Sequence, residues 1–188
     1  LTNQDQVQNF FNKYKPDYVF LAAGKSGGIY ANDTYRAELV YDNLSIQTNV
    51  IHQAYLHEVK KLIFFGCSTI YPQKVLQPMK EEYLLSAHPE PGNESLTISK
   101  LAGLEMCEAY NRQYGTNFIS VIPSIIYGRN QSYETLNSSV IPALIKRFHE
   151  AKKIKSDEVV VWGTGRTSRD FLFVDDLADA VIFLMEKF

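Results

Sequence analysis

The sequence predicts an α/β protein built on a doubly wound parallel sheet. Three short apolar runs, at residues 18–22, 62–65 and 118–122, have the length of buried strands. The segments between them carry apolar residues every three or four positions, which is typical of helices packed on such a sheet. With 188 residues and 45% hydrophobic content, the chain has the size of one domain and can bury a core.

The first half of the chain alternates helix and strand. Apolar spacing predicts a helix over Gln4–Tyr14, closed by Pro16, and a long helix over about 34–57 that packs on more than one neighbour. The run 62–65 is then the central strand, and the turn after it, 66–72, is polar. Ligands bind at the carboxyl edge of open parallel sheets, so this turn is the candidate site.

The second half repeats the alternation. A helix over about 95–114 ends at Gly115, a residue suited to a left-handed helix end. The other expected elements, in chain order, are a strand over 118–122, a helix over 140–152, strands over 159–162 and 171–174, and a last helix capped by Asp175 or Asp176.

Composition and charge exclude several classes of function. A net charge of −2 leaves no basic face for phosphates, so nucleic acid is not an expected partner. No segment has the length of a membrane span and the first residues are not signal-like, so a cytoplasmic protein is expected. Cys67, Cys107 and the scattered histidines lack the spacing of a disulfide framework or a zinc site, so no metal is expected.

Two glycine-containing turns invite nucleotide-binding interpretations. Residues 23–28 contain Gly-Lys-Ser, but the phosphate-loop motif needs a glycine where this chain has Val19. The small residues of this turn let the backbone pass close to a ligand, or they form an ordinary flexible turn. Residues 163–165 are half of a dinucleotide fingerprint, and a plain turn is favoured because position 168 is Ser168.

Five segments together resemble GDP-L-fucose synthase, a family of NADP-dependent 3,5-epimerase/4-reductases in the extended short-chain dehydrogenase/reductase group. They are residues 21–32, 70–72, 108–115, 140–144 and 169–176. The resemblance implies a Rossmann-like fold, NADP as cofactor and a GDP-deoxyhexose as substrate. It also implies an internal piece of a longer protein, without the first βα unit and the carboxyl-terminal substrate segment. Residues 1–188 would form one partial NAD(P)-binding domain, with parts of the substrate-binding region at about 73–94 and 129–157.

The reductase chemistry of that family uses a tyrosine that protonates the carbonyl oxygen, a lysine four residues later, and a serine that orients the carbonyl. Four residues on a helix place the first two side chains on one face, one turn apart. Here the lysine position is Lys100, the tyrosine position is Leu96, and the serine position is Cys67 with Ser68 beside it. No tyrosine in this sequence has a lysine four residues later.

The epimerase chemistry of that family uses a cysteine and a histidine, whose positions are Thr69 and Ser139 here. Neither hydroxyl titrates near neutral pH. Losing one positioned proton donor costs about 10²–10⁴-fold in rate, so the family reaction is expected to be impaired. The catalytic candidates that remain are Lys100, Cys67 and Ser68. The alternative is a catalytically silent homologue that acts as a binding or dimerisation module.

The resemblance also implies binding residues. The cofactor positions are Ala22, Ala23, Lys100, Pro123 and Ile126, and the substrate positions are Lys25, Arg147, Trp162 and Arg169.

Several of these residues have a simpler structural interpretation. Lys100 can be a remnant whose stem packs on its own helix, and Cys67 can be a small buried residue. Arg169 can pair with Asp170 or Asp175 instead of a diphosphate.

Members of the family pair through two long helices, which correspond to about 34–57 and 95–114 here. A homodimer with a four-helix interface is therefore implied, and Asn43, Gln47, Tyr55 and Tyr110 are expected to face the partner.

Overall fold

A computed structural model describes residues 1–72, 74–133, 138–161 and 163–188, apart from the side chain of Ile29. Within these ranges the helices are α1 (Gln4–Tyr14), α2 (Ile29–Thr34), α3 (Arg36–Leu56), α4 (Glu94–Tyr114), α5 (Val140–Ile154) and α6 (Val174–Lys187). The strands are β1 (Tyr18–Leu21), β2 (Lys61–Phe65), β3 (Phe118–Val121), β4 (Ile125–Tyr127) and β5 (Phe171–Phe173). Single 3-10 turns occur at Ser68–Ile70 and Glu81–Tyr83.

The central sheet is parallel, with the strand order β1–β2–β3. Ile63 of β2 lies opposite Phe20 of β1 and opposite Ile119 of β3. Leu62 and Ile63 have no exposed surface, as expected for the middle strand of a sheet that is covered on both sides. The position of 62–65 as the central strand is confirmed.

Helices cover both faces of this sheet. Successive strand residues point to opposite faces. Leu62 and Phe64 pack in a core with residues of α1, α3 and α4. Ile63 packs on the other face with Val181 and Met185 of α6. The doubly wound arrangement is therefore confirmed.

A second, two-stranded parallel sheet joins distant parts of the chain. β4 pairs with β5 through Ile125–Phe171, Ile126–Leu172 and Tyr127–Phe173. The extended segment at 171–174 was predicted, but its partner strand was interpreted as the exit of β3, because such a pairing leaves no local signal.

Helix ends follow mostly local rules. Asn3 caps α1 by accepting a hydrogen bond from the Gln6 main-chain N–H at 2.9 Å. Gly115 ends α4 in the left-handed conformation with φ 67°, as predicted. The cap predicted for α6 is wrong: Phe173 is its N-cap residue, and Asp175 and Asp176 lie in its first turn.

The long helix expected over about 34–57 is confirmed as α3, and Tyr35 (φ −105°, ψ 41°) separates it from the short helix α2, which was not predicted. The strand expected over 159–162 is wrong for 159–161, which pair with no described strand and leave Val160 76% exposed. A valine run favours a strand locally, but only a neighbouring strand can supply its hydrogen bonds. No described helix combines the length and the apolar character that a membrane crossing requires.

Candidate functional site

The turn after β2 meets the first turns of α4 at the carboxyl edge of the central sheet. Thr97 Oγ1 on α4 donates a hydrogen bond of 3.0 Å to the main-chain oxygen of Thr69 in the 3-10 turn. This contact brings the catalytic positions predicted on the turn close to those predicted on the helix.

Lys100 is the buried cation of this edge. The residue is 9% exposed, and its Nζ donates a hydrogen bond of 2.8 Å to the carbonyl oxygen of Phe65, the last residue of β2. The same Nζ lies 5.0 Å from the centre of the Phe64 ring. Burial lowers the pKa of Lys100, and the nearby Cys67 partly opposes that shift. The ammonium group is therefore fixed at the sheet edge rather than lying free along its helix.

Cys67 is half-buried rather than fully buried. Its Sγ lies 2.9 Å from Thr69 Oγ1, a distance at which either group can donate a hydrogen bond. Ser68, between them, is also half-buried. Cys67 and Cys107 are both free thiols, but Cys107 is a core residue, 1% exposed, as predicted.

Leu96 fills the position one helical turn before Lys100. It is 5% exposed, and its carbonyl oxygen accepts a hydrogen bond of 2.8 Å from Ser99 Oγ. Its aliphatic side chain can neither give nor take a proton. Ser139 is the N-cap residue of α5, and in the described part of the chain no hydrogen bond joins it to Cys67 or Lys100.

The turn after β1 passes directly over the lysine. A Cβ on Gly24 would lie 3.3 Å from Lys100 Nζ and 3.1 Å from Asn43 Oδ1, so glycine permits this close approach. Asn43 holds the turn with two hydrogen bonds of 2.8 Å, accepting from the Lys25 main-chain N–H and donating to the Lys25 carbonyl oxygen.

These residues fit part of an NADP site. Ala22 is exposed and Ala23 is half-buried, so a main-chain surface without large side chains leads up to Lys100. Pro123, after β3, is buried, and Ile126, in β4, is half-buried. The assignment of these positions to the cofactor stays a prediction. The sequence has no G-x-G-x-x-G motif for the pyrophosphate.

Two of the predicted substrate positions carry exposed cations. Lys25 Nζ forms an ion pair with Asp42 Oδ2 at 2.8 Å, which raises the pKa of Lys25. Arg169 is exposed, and its Nη1 donates to the Ser168 carbonyl oxygen at 3.0 Å. The ion pair with Asp170 or Asp175 that the sequence left open is absent from the described residues.

Arg147 lines a groove of about 380 Å³ between the second half of α5 and the segment that follows it. Its Nη1 donates to the Val160 carbonyl oxygen at 3.3 Å. The apolar wall is formed by Ala151, Ile154, Val159 and Val160. The carboxylate residues Glu150 and Glu158 also line this groove, so its charge is mixed and does not by itself select an anionic ligand. Trp162 lies outside the described residues, and its assignment stays a prediction.

Two residues assigned to a dimer interface point inward instead. Asn43 is 2% exposed and Gln47 is 3% exposed, and Gln47 Nε2 donates to the Ser99 carbonyl oxygen at 2.6 Å. The expectation that they face a partner is wrong. Tyr55 and Tyr110 are half-buried, with ring centres 5.4 Å apart across the contact of α3 with α4.

Sequence reasoning missed Asn32 and did not recognise Asn43 as a residue that supports the site. A signal existed for the second: Leu39, Asn43, Gln47 and Val50 follow helical spacing and are all buried. A polar residue within a buried stripe must find hydrogen-bond partners, which here are main-chain groups of the site. Within the described ranges, no three His, Cys, Asp or Glu side chains lie together so as to hold a metal ion.

Comparison with known proteins identifies the family. The model of the NAD dependent epimerase/dehydratase family matches residues 1–188. The chain belongs to this family. Its Rossmann-like α/β fold is the one that the sequence predicted.

Similar members of the NAD dependent epimerase/dehydratase family act on GDP-sugars according to their names. A putative GDP-L-fucose synthase 2 of Arabidopsis thaliana is 54% identical over 188 residues, which are 100% of this chain and 57% of the relative. The GDP-L-fucose synthase of Escherichia coli is 48% identical over 186 residues, 99% of this chain and 58% of that protein. The chain therefore spans less than two thirds of these relatives.

A solved structure supports the cofactor class. The GDP-mannoheptose C4 reductase of Campylobacter jejuni, with NADP bound, is 39% identical and superposes with a TM-score of 0.88. The match covers 98% of this chain and 63% of that one. NADP is thus bound by a protein that shares the described fold.

Proposed function

We propose that this chain contributes the cofactor and nucleotide-sugar region of a GDP-L-fucose synthase-like, NADP-dependent epimerase/reductase, impaired in proton transfer as its sequence stands. The observation that carries the proposal is the arrangement at the carboxyl edge of the sheet. Gly24 and Lys100 lie together beside the turn of Cys67, while Leu96 fills the position one turn before the lysine.

The residues of this edge define what the chain itself can do. When bound, NADPH supplies a hydride for a carbonyl carbon. Lys100 uses one of its three N–H donors on Phe65 and keeps others for a ligand hydroxyl. Cys67 and Ser68 can orient a carbonyl through S–H or O–H donors. Leu96 cannot protonate the carbonyl oxygen, which is the step expected to fail.

The proposed substrate is a GDP-deoxyhexose. Exposed Arg169 offers a guanidinium, a group that matches phosphate oxygens. The groove beside Arg147 offers a second guanidinium and an apolar wall, together with Glu150 and Glu158. The names of the relatives support a GDP-sugar. Residues 1–188 are proposed to form one domain, in which segments 73–94 and 129–157 form part of the substrate region.

The test compares the full chain with a Leu96→Tyr, Cys67→Ser variant. NADPH consumption is followed with GDP-4-keto-6-deoxymannose, and GDP and NADP binding are measured by calorimetry. We expect the restored variant to be faster by about 10²–10⁴-fold with similar binding. Leu96→Phe, Cys67→Ser is the matched control, because it adds the ring without the hydroxyl.

The possible results separate the two parts of the proposal. Equal turnover by the original chain and the restored variant contradicts the impairment. Failure of every folded form to bind GDP and NADP contradicts the function itself.

A second candidate is a catalytically silent homologue that pairs through α3 and α4. The rings of Tyr55 and Tyr114 stack across these helices with centres 4.2 Å apart, and Tyr114 is 47% exposed. An exposed aromatic cluster suits an interface. Sedimentation velocity tests the pairing, with Tyr114→Asp expected to weaken a homodimer. A chain that stays monomeric at high concentration contradicts it.

A cytoplasmic location is also proposed. Cys67 and Cys107 are both free thiols, which suits a reducing compartment.

A further inference from the structure

Asn32 joins the turn after β1 to the start of α4. The residue is 6% exposed, and its Oδ1 accepts a hydrogen bond of 3.0 Å from the Gly27 main-chain N–H. Its Nδ2 donates a hydrogen bond of 2.9 Å to Asn93 Oδ1. Asn93 is the N-cap residue of α4, the helix that carries Lys100. One side-chain amide therefore connects the turn to the lysine helix.

The same turn has a second anchor. Asn43 of α3 binds both main-chain groups of Lys25, each at 2.8 Å. Gly24, directly before the Lys25 anchor, approaches Lys100 so closely that a Cβ would lie 3.3 Å from Nζ. The distance between the turn and the lysine therefore depends on both asparagines.

An amide is the side chain that this bridge requires. It offers an acceptor to Gly27 and a donor to Asn93 at once. Aspartate keeps the acceptor but faces Asn93 Oδ1 with a second acceptor, and alanine leaves the Gly27 N–H without its partner. Position 27 also requires glycine, because a Cβ there would lie 2.5 Å from Ala31 Cβ.

Another contact between α2–α3 and α4 is weaker. Arg36 Nη1 lies 3.2 Å from Glu94 Oε2, but both side chains are substantially exposed, 49% and 39%. Exposed ion pairs contribute little because solvent screens them. The buried amide of Asn32 is the stronger connection.

We propose that Asn32 is a positioning residue, which holds the Gly24–Gly27 turn over Lys100 and thereby sets the affinity of the site for NADP. The cofactor part of this inference rests on the proposed function. The positional part concerns only the contacts between the turn and the lysine.

The experiment uses the full chain with Asn32→Ala and two measurements. Mass spectrometry follows acetylation of Lys100 by acetic anhydride, which needs no cofactor, with exposed Lys60 as internal reference. Calorimetry measures the Kd for NADP. Loss of one buried hydrogen-bond partner is expected to speed Lys100 acetylation and to raise the Kd by about tenfold each. Asn32→Asp should also change both, because it keeps the acceptor for Gly27 but loses the donor to Asn93 and places a buried carboxylate against Asn93 Oδ1.

Asn111→Ala is the matched control at the other end of α4. Asn111 binds the main-chain N–H and carbonyl oxygen of Phe118 at 2.9 and 2.7 Å, so it also ties this helix to the sheet. Its loss is expected to lower stability without changing Lys100 acetylation or the NADP Kd.

Each result decides part of the inference. Unchanged Lys100 acetylation in Asn32→Ala, or an equal change in Asn111→Ala, overturns the positioning role. Faster acetylation with an unchanged Kd overturns the link to affinity. If the original chain binds no NADP, the proposed function fails, while the acetylation rates still decide whether Asn32 positions the turn.

Discussion

Lys100 Nζ lies 2.8 Å from the carbonyl oxygen of Phe65, which ties the lysine of α4 to the end of the central strand. The hydrogen bond compensates only part of the cost of burying a cation, and burial lowers the pKa of Lys100 below its ordinary value of 10.5. The folded state therefore holds this proton less tightly than the unfolded chain does.

This difference predicts a pH dependence. Between the lowered folded pKa of Lys100 and 10.5, the unfolded chain binds more protons, so stability rises with pH in that window. Below the folded pKa, Lys100 is protonated in both states, so the destabilisation caused by burying its charge no longer changes with pH. We expect the unfolding free energy of the original chain minus that of Lys100→Met to increase as pH rises towards 10.5.

Urea unfolding of both proteins at a series of alkaline pH values checks this. Burial raises the pKa of Cys107 from 9.0 to about 12, which lowers stability above pH 9.0. This contribution is the same in both proteins, so the subtraction removes it. A difference that stays flat across the window would show that Lys100 is hydrated in solution.

The two thiols should differ in reactivity. Cys107 is 1% exposed with a pKa raised to about 12 by burial, so almost none of it is thiolate near neutral pH. Cys67 is half-buried at the sheet edge. With iodoacetamide under native conditions, peptide mass spectrometry should find Cys67 alkylated at least tenfold faster, since attack needs both access and thiolate.

Cys67→Ala should remove the fast reaction, and urea should make both thiols of the original chain react. Equal native rates would mean that α4 does not pack on the core as described.

The parts of the fold that the sequence predicted depend on local signals. The run 62–65 had to be buried on both faces because no polar residue interrupts it, and Gly115 marked a helix end through its freedom to adopt φ 67°. The assignment of Lys100 to the site, in contrast, came from the resemblance to the family and not from a local signal.

The failures have non-local causes. Residues 159–161 have strand propensity, but strand formation depends on a partner that their own residues do not specify. Ile125 and Phe171 pair although the sequence around each of them does not indicate its partner strand. Asn43 and Gln47 look like surface residues until the main-chain groups that they bind are known. Tertiary contacts, rather than propensity, decide all of these positions.

Gly103→Ala should destabilise the chain although alanine is the better helix former. A Cβ there would lie 2.3 Å from Phe64 Cζ and 2.9 Å from Gln47 Oε1, so α4 can approach β2 and α3 only with glycine. Overpacking costs about 1–3 kcal/mol, against a gain of about 1 kcal/mol from helix propensity. With such short contacts we expect a net loss in urea unfolding.

A double-mutant cycle identifies the cause. In a Phe64→Leu background the ring atoms that clash are gone while the contact with Gln47 Oε1 remains, so the loss caused by Gly103→Ala should become smaller. If the loss is the same in both backgrounds, contact with Phe64 is not its source.

Lys61→Met should loosen the end of α6. Lys61, at the start of β2, is 7% exposed, and its Nζ donates to the carbonyl oxygens of Met185 at 2.8 Å and of Phe188 at 2.9 Å. Carbonyls at a helix end lack partners within the helix, and a cation there also interacts favourably with the helix dipole. A hydrogen bond to a charged group contributes about 1.5–3 kcal/mol, so a loss of that order is expected in urea unfolding.

The adjacent Lys60→Met is the control, because the ion pair of Lys60 with Asp17 is exposed and its loss should change stability little. Hydrogen exchange adds a local measurement: amides in the last turn of α6 should exchange faster in Lys61→Met, whereas those of α1, on the opposite face of the sheet, should not. Uniformly faster exchange would indicate general destabilisation, whereas a change limited to α6 requires that Lys61 holds this helix end against the central strand.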